Sequence, residues 1–328
     1  MASKQLDVML YGLGAIGSFY AFILSRNPDV RLTVVARSNF EAVSANGFTI
    51  DSENHGNGLV VRPHKVVRTP AGADAKFDYI VCANKAIGQE ELPARLAPAV
   101  DEDRTTIVII QNGVGNEEPF RSAFPSVTII SCVTWVGARQ HQPGFVTHTK
   151  SEDTQMGLFP NPASAAPERD QARLDEFAGL LRTGGTAFQV VPNVQVQRWE
   201  KVVWNVAWNS LTTLTFLDTH AWLDSSPGAT PMTRRLMGEA VDVALALGVP
   251  LDKEPLIDRL MDKILAMPPI YSSMYEDARH GRPMEVDVIL GYPTRKGREL
   301  GVSIPTLETI YTVLTGVNFR LLKASKAA

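Results

Sequence analysis

The sequence predicts an α/β fold, in which an N-terminal domain built on a doubly wound parallel sheet precedes an all-helical C-terminal domain. Short apolar strands alternate with helical segments through the first half of the chain, as in parallel sheets flanked by helices. From Val196 onward, helical patterns replace strand patterns. The chain has 328 residues, more than one hydrophobic core usually serves, so we expect two domains, at residues 1–195 and 196–328.

The composition is that of an ordinary globular protein, with 45% hydrophobic and 20% charged residues. A net charge of −3 provides no basic field for nucleic acid or an anionic membrane. The longest strand-like apolar run, residues 106–110, is far shorter than a membrane span, and the N-terminus lacks a signal-peptide core. We expect a cytoplasmic protein whose cysteines, Cys82 and Cys132, are buried and reduced.

The first predicted strand leads into a glycine-rich turn. The motif is Gly12-Leu13-Gly14-Ala15-Ile16-Gly17. Gly12 permits the tight turn, Gly14 lets a pyrophosphate approach the backbone, and Gly17 lets the next helix pack closely on the strand. An amphipathic helix follows, whose first N–H groups would face the phosphates, and a second strand lies at residues 32–35. This context predicts a Rossmann-type dinucleotide-binding domain, with all six motif residues as cofactor contacts.

The residues that follow the second strand indicate which cofactor to expect. An NAD site usually places an acid about 20 residues past the glycines to bind the ribose 2′-OH. This chain has Ala36-Arg37-Ser38 instead. A guanidinium suits a 2′-phosphate through paired charge-assisted hydrogen bonds. We therefore predict NADPH/NADP⁺, bound by Arg37; the alternative is a solvent-exposed surface arginine.

Polar side chains also follow two further predicted strands, at residues 77–82 and 106–110. They are Asn84-Lys85 and the segment Gln111-Asn112-Gly113-Val114-Gly115. The carboxyl ends of parallel strands face the ligand crevice. Lys85 and Asn112 are therefore candidate contacts to the ribose or nicotinamide, and the alternative is that each is a loop residue without a role.

Residues 134–157 alternate without a helical period and contain the turn Gln142-Pro143-Gly144. This pattern predicts a hairpin that extends the sheet. His141 and His148 flank the turn and lie far in sequence from any acid that could complete a metal site. We expect both on the surface, and we expect no metal.

Polar residues recur at helical spacing in a segment that otherwise predicts a buried helix. Lys201, Asn205 and Asn209 stand at i, i+4 and i+8, on one stripe among valines and tryptophans. A cation and two amides on an apolar helix are costly unless something polar meets them. These polar side chains either have a structural role, paired with neighbouring backbone groups, or line a catalytic site. This segment alone does not distinguish the two.

Further helices are predicted after this segment. They cover about residues 230–247, with Thr230 as the N-cap, and then 254–267, 272–279, 284–300 and 306–322. Glu285 begins the fourth, where the helix dipole favours a carboxylate, so capping alone would explain it. Ser273 likewise could merely cap its own helix.

Together these residues resemble the ketopantoate reductase (2-dehydropantoate 2-reductase) family over nearly the whole chain. The resemblance is carried, in order, by the glycine motif, Arg37, Lys85, Gln111-Asn112-Gly113-Val114-Gly115, Lys201-x-x-x-Asn205-x-x-x-Asn209, Ser273-Met274, and Gly281-Arg282-Pro283-Met284-Glu285-Val286-Asp287 leading to Gly291. Ser210 follows Asn209 where many relatives have proline, and Trp199, Trp204 and Trp208 make the helix bulkier than the family pattern. These departures bear on the identity of the substrate.

The resemblance implies a role for each matched residue. Lys201 would be the catalytic acid, Asn205 would contact the substrate, and Asn112 would bridge cofactor and substrate. Ser273 and Glu285 would bind the carboxylate and hydroxyl of the substrate. Lys201 and Glu285 are thus the candidate catalytic residues, and Asn209, on the stripe of Lys201, is a further candidate substrate contact.

The implied reaction is the NADPH-dependent reduction of 2-dehydropantoate (ketopantoate) to pantoate. Hydride would go to the keto carbon, while the Lys201 ammonium polarises the carbonyl oxygen and delivers a proton. One alternative is a reductase of another 2-keto acid or carbonyl compound. The other is a non-enzymatic NADP(H) sensor, although a sensor needs no aligned proton donor. The expected partner is a small-molecule 2-keto acid; a homodimer is left open, and neither nucleic acid nor a membrane is expected.

Overall fold

A computed structural model describes residues 5–161 and 166–327, and these form two compact units. The first unit comprises the described residues up to 111 and from 116 to 194. The second comprises Asn112–Gly115 and the chain from Gln195 onward. The short segment Asn112–Gly115, which follows a strand of the first unit in sequence, thus belongs by its contacts to the second unit.

The strands of the described residues all lie in the first unit and form two sheets. They are β1 (Leu6–Tyr11), β2 (Val30–Val35), β3 (Phe48–Ser52), β4 (Gly56–Val61), β5 (Lys65–Val67), β6 (Tyr79–Cys82), β7 (Thr106–Ile109), β8 (Thr128–Thr134), β9 (Ala138–Gln142), β10 (Phe145–His148), β11 (Thr154–Leu158) and β12 (Gln189–Val190). The larger sheet has the order β12-β11-β8-β7-β6-β1-β2-β5. Its pairs are parallel except β11 with β8.

Side chains of the larger sheet alternate between two buried cores, as strands covered on both faces require. Val8 and Val81 face one core, and Met9 and Ile80 face the other. The helices of this unit are α1 (Ala15–Ser25), α2 (Phe40–Asn46), α3 (Leu92–Leu96), α4 (Glu118–Ala123) and α5 (Pro167–Gly184). Residues of α1 and α5 join the first core, and residues of α3 and α4 join the second. The predicted doubly wound sheet is confirmed.

The smaller sheet corrects one prediction. The hairpin of β9 and β10 does not extend the larger sheet; it pairs with β3 and β4 in the order β4-β3-β10-β9. β10 pairs with β3, which brings Val146 into the core beneath α1. The larger sheet is extended instead by β11, antiparallel to β8.

The prediction that both histidines lie on the surface is also wrong for one of them. His141 is exposed, but His148 is buried, and its Nδ1 lies 2.8 Å from Ser52 Oγ. The ring also lies 4.4 Å from that of Phe19, centroid to centroid. His148 therefore stabilises the contact between β10, β3 and α1. The described residues contain no group of three or more His, Cys, Asp or Glu side chains that could hold a metal.

The second unit is helical. Its helices are α6 (Val194–Thr215), α7 (Thr219–Asp224), α8 (Ala229–Ala246), α9 (Lys253–Ala266), α10 (Ser273–Arg279), α11 (Tyr292–Glu299) and α12 (Pro305–Ala327). Helix α8 packs against α7, α9, α11 and α12. Thr230 lies inside α8 rather than capping it, since the helix begins at Ala229 after Gly228. No described helix is long and apolar enough to cross a membrane.

The segment before α11 is wound more widely than an α-helix. Asp287–Gly291 forms a π-helical turn that runs directly into α11. Single π-helical turns often occur at functional sites. Here the turn follows Glu285 and presents the Val288 carbonyl to the backbone N–H of Val114, at 3.0 Å.

Candidate active site

The polar stripe of α6 lies on a buried helix, as its sequence predicts. Val202, Val203 and Val206 are completely buried around it. Asn205 and Asn209 are 6% and 4% exposed, and Lys201 is partly buried. The Asn205 Nδ2 group has no hydrogen-bond partner among the described residues. A buried amide donor without a partner costs about 1–3 kcal/mol, so this group is available to a ligand that accepts a hydrogen bond.

The Asn112–Gly115 segment brings a second polar residue to this stripe. Gly113 has a φ of +89°, and a Cβ added there would lie 2.5 Å from the Val288 carbonyl oxygen. Only glycine fits both the left-handed backbone and that close approach. On the other side of the segment, the Arg198 side chain donates a hydrogen bond from one terminal nitrogen to the Gly113 carbonyl, at 2.9 Å. The segment is thus fixed between α6 and the π-helical turn.

Three predicted site residues meet through hydrogen bonds. Lys201 Nζ donates to Asn112 Oδ1 at 3.0 Å, and Asn112 Nδ2 donates to Glu285 Oε2 at 3.1 Å. The ammonium and the carboxylate therefore determine which way the amide points. We call this chain of side chains the Lys201–Asn112–Glu285 relay. It can hold an ammonium in a fixed position with its charge balanced nearby.

The environment of Lys201 makes it a stronger acid than an ordinary lysine. The pKa of Lys201 is lowered to about 8; burial is the main cause, and the Arg198 and Lys263 cations act in the same direction. The Glu285 carboxylate opposes them and raises this pKa. A lysine with this pKa is still mostly protonated at pH 7, and it gives up its proton far more readily than one in water. This is the property that a general acid needs near neutral pH.

Glu285 does not lie inside a helix. The backbone at Glu285 is not helical, and the helical segment begins at the next residue, Val286. The preceding residue is held in place, because the Met284 backbone N–H donates to Asn318 Oδ1 of α12 at 3.0 Å. Glu285 accepts a hydrogen bond from Asn112, which gives its carboxylate a second role in addition to any interaction with the helix dipole.

Ser273 is not part of the relay. It is the exposed first residue of α10, and the residue that caps this helix is Ser272, whose Oγ accepts from the Tyr275 backbone N–H at 3.0 Å. Ser273 therefore does not serve as the cap. Thr212 of α6 donates to Ser272 Oγ at 2.8 Å, which joins the start of α10 to the far end of the helix that carries Lys201.

The glycine motif has the geometry of a nucleotide-binding turn. Gly12 has a φ of +102°, and a Cβ there would lie 2.4 Å from the Asn84 backbone nitrogen. A Cβ at Gly14, in contrast, would meet nothing within 4 Å, so a phosphate can approach the backbone there. Ala15 and Ile16 open α1, whose backbone N–H groups point toward its N-terminal end. The residues of this turn therefore fit a bound pyrophosphate.

Two other predicted cofactor residues follow the strands on either side of β1. Arg37 is exposed beyond the end of β2, and Lys85 is exposed beyond the end of β6. Leu13 is held by a residue that the sequence did not single out, because Asn39 Nδ2 donates to its carbonyl at 2.6 Å. Asn39 is buried, and its hydrogen bond stabilises the conformation of the turn.

Sequence reasoning placed Asn84 and Gln111 at the ends of two strands but missed the cluster of amides that they form with Gln89. Gln111 Nε2 donates to the Asn84 side chain at 3.2 Å, and Gln89 Nε2 donates to Gln111 Oε1 at 2.7 Å. It also missed Arg198, which is 2% exposed. Its position three residues before Lys201 was the available signal, since i and i+3 share one helix face.

Comparisons with known proteins agree with this architecture. The family model described as "Ketopantoate reductase PanE/ApbA" matches residues 8–161, and "Ketopantoate reductase PanE/ApbA C terminal" matches residues 193–318. A 2-dehydropantoate 2-reductase from Nostoc sp. is 26% identical over 303 residues, covering 92% of each chain.

Solved structures show the same fold. The crystal structure of 2-dehydropantoate 2-reductase from Methylococcus capsulatus is 33% identical, with a TM-score of 0.82, over 96% of this chain and 98% of that one. A D-mandelate dehydrogenase solved with NADH and anilino(oxo)acetate has a TM-score of 0.84 over 96% and 99% of the two chains, but its 20% identity shows a shared fold alone. The two family models and the Methylococcus relative show that this chain belongs to the ketopantoate reductase family of oxidoreductases.

Proposed function

We propose that the protein uses NADPH to reduce a 2-keto acid, and that this acid is 2-dehydropantoate, which becomes pantoate. The single observation that carries the proposal is the Lys201–Asn112–Glu285 relay, with its 3.0 Å and 3.1 Å hydrogen bonds. A partly buried ammonium held at a fixed point is what carbonyl reduction requires, because negative charge develops on the oxygen as the carbon is reduced.

In this proposal Lys201 is the general acid. Its ammonium polarises the keto oxygen and transfers a proton to it, leaving a neutral amine that takes up another proton from water. The pKa of about 8, set mainly by burial, lies near the working pH, where a positioned acid contributes about 10²–10⁴-fold to the rate. Glu285 assists because its carboxylate favours the ammonium over the neutral amine.

Asn112 sets the position of the ammonium. The Asn112 amide accepts from Lys201 and donates to Glu285, so its orientation is fixed before the substrate binds. Preorganised polar groups of this kind lower the reorganisation needed as charge develops. We assign substrate contacts to Asn205, whose buried Nδ2 has no hydrogen-bond partner within the described part of the chain, and to Asn209 on the same stripe. Ser273, exposed at the start of α10, is assigned to the substrate carboxylate, as the family resemblance implies.

The cofactor is assigned to the glycine turn. When bound, NADPH supplies a hydride to the keto carbon. Gly12, Gly14 and the start of α1 would hold its pyrophosphate, for which the space beside Gly14 is open. The exposed Arg37 guanidinium would bind the 2′-phosphate, and Lys85 the ribose.

A second candidate is a 2-keto acid with an aromatic side chain. Three aromatic rings meet next to Ser273: Tyr271 stacks on Tyr275 at 4.3 Å between centroids, and Phe216 meets Tyr275 edge-on at 5.5 Å. Phe216 and Tyr271 are 56% and 47% exposed. These rings offer apolar area that the two methyl groups of ketopantoate would fill only in part, which favours a larger side chain.

One assay tests the proposal and separates the two substrates. NADPH oxidation is followed at fixed protein concentration with ketopantoate, 2-ketoisovalerate, phenylpyruvate and benzoylformate. The proposal expects the highest kcat/KM for ketopantoate. A higher value for an aromatic acid would replace the substrate but keep the chemistry, whereas no turnover of any 2-keto acid would refute the proposed reaction.

A further inference from the structure

Arg198 is the most deeply buried charged residue near Lys201. It is 2% exposed, and it lies on α6 three residues before Lys201, on the same face of the helix. An arginine is almost never buried to this degree unless something compensates its charge. One terminal nitrogen donates to the Gly113 carbonyl at 2.9 Å. Part of the compensation therefore comes from the backbone of the Asn112–Gly115 segment.

This contact lies one residue from the relay. Asn112, whose Oδ1 accepts from Lys201 at 3.0 Å, directly precedes Gly113, whose carbonyl accepts from Arg198. Arg198 and Lys201, on adjacent turns of α6, thus donate hydrogen bonds to two consecutive residues of the same segment, Gly113 and Asn112. The π-helical turn fixes the other side, where the Val114 N–H donates to the Val288 carbonyl at 3.0 Å.

We propose that Arg198 is a positioning residue: its guanidinium holds the Asn112–Gly115 segment against α6 and thereby keeps the Asn112 amide within hydrogen-bond reach of Lys201. The inference rests on the proposed role of Lys201 as the proton donor, and it adds a residue that the polar stripe does not include. A misplaced Asn112 would leave the ammonium free to move, and small displacements of reacting groups are costly to catalysis.

Arg198 also acts on Lys201 through its charge. The charged groups that bear on Lys201 are Arg198 on α6, Lys263 on α9 and Glu285 before the π-helical turn. Both cations lower the pKa of Lys201, and Glu285 raises it, while burial is the largest effect. Removing the Arg198 charge should therefore raise this pKa. Because reduction needs the ammonium, the loss of activity at alkaline pH should then begin at a higher pH.

The test compares Arg198→Gln and Arg198→Lys with a matched control, Arg234→Gln. Arg234 lies on α8 and forms ion pairs with Asp258 at 2.6 Å and Glu254 at 3.5 Å, neither of which belongs to the relay. Two quantities are measured on each protein between pH 6 and 10. The first is kcat for NADPH-dependent reduction of the best 2-keto acid. The second is the rate at which acetic anhydride acetylates Lys201, read by peptide mass spectrometry, which reports the pKa of Lys201 without any catalysis.

The proposal expects Arg198→Gln to lower kcat by about 10- to 100-fold, the usual effect of losing a hydrogen bond from a charged group. It also expects the midpoints of acetylation and of the alkaline fall in kcat to move to higher pH. Arg198→Lys, which keeps the charge, should keep both midpoints and recover part of kcat. Arg234→Gln should match the unmodified protein in both measurements.

Two results would overturn the proposal. One is a folded Arg198→Gln protein with kcat within twofold of the unmodified protein and an unmoved acetylation midpoint. The other is a fall in kcat with unmoved midpoints and no recovery in Arg198→Lys, which would mean that Arg198 only stabilises the fold. If the unmodified protein reduces no 2-keto acid, the proposed reaction fails, and the acetylation midpoint still decides whether Arg198 acts on Lys201.

Discussion

Replacing Asn112 with alanine removes the centre of the relay without touching either charged group. Lys201 then loses a hydrogen-bond acceptor at 3.0 Å, and Glu285 loses a donor at 3.1 Å. A hydrogen bond to a charged group contributes about 1.5–3 kcal/mol. If one such interaction is fully needed in the transition state, kcat should fall about 10- to 100-fold, since 1.4 kcal/mol corresponds to a factor of ten.

A matched substitution separates position from charge. Asn112→Asp keeps an oxygen for Lys201 but places a second carboxylate against Glu285. The added negative charge should raise the pKa of Lys201 and move the alkaline fall in activity to higher pH. Asn112→Ala adds no charge, so it should lower kcat with a smaller change in the pH profile.

Steady-state kinetics against pH, together with NADPH binding followed by fluorescence, measure these effects. Binding should change little in Asn112→Ala if the glycine turn carries most of the cofactor's affinity. A folded Asn112→Ala protein with kcat within twofold of the unmodified protein would refute the reasoning, because the relay would then contribute nothing to the reaction.

Two further substitutions test the cofactor and the substrate. Arg37→Ala should weaken NADPH by roughly 10- to 100-fold and leave NADH nearly unchanged, since only NADPH has the 2′-phosphate; equal kcat/KM for the two cofactors in the unmodified protein would contradict this assignment. Glu285→Ala should reduce the preference for ketopantoate over 2-ketoisovalerate, which lacks the hydroxyl, mainly by slowing ketopantoate. If Glu285 only interacts with the helix dipole, the variant should instead keep its selectivity and lose about 1 kcal/mol of stability, which thermal melts would show.

The parts of the fold that depend on local sequence could be predicted. The glycine turn and the stripe of Lys201, Asn205 and Asn209 follow from strand and helix periodicity, which neighbouring residues determine. Gly12 shows why the motif is reliable, because no other residue fits its φ of +102° so close to Asn84.

Contacts between distant segments could not be predicted in the same way. Asn112 and Glu285 are 173 residues apart, and their hydrogen bond depends on the packing of the Asn112–Gly115 segment against the π-helical turn. His148 is likewise buried because β10 pairs with β3. The sequence of the hairpin alone does not reveal that pairing, so it predicts an exposed histidine. The choice of Ser272 over Ser273 as the α10 cap is a one-residue difference that helix patterns do not resolve.

The role of Lys201 is tested most directly by the pH dependence of kcat/KM in the unmodified protein and in Lys201→Ala. Burial lowers the pKa of Lys201 to about 8, and reduction requires the ammonium. The kcat/KM of the unmodified protein, which reports ionisations of the free enzyme, should therefore be level below that pKa and fall as the pH rises through about 8. Lys201→Ala should bind NADPH almost normally, lose roughly 10²–10⁴-fold in kcat and lose this alkaline fall. A folded Lys201→Ala protein that keeps a near-normal kcat with the same alkaline fall would contradict the assignment of Lys201 as the proton donor.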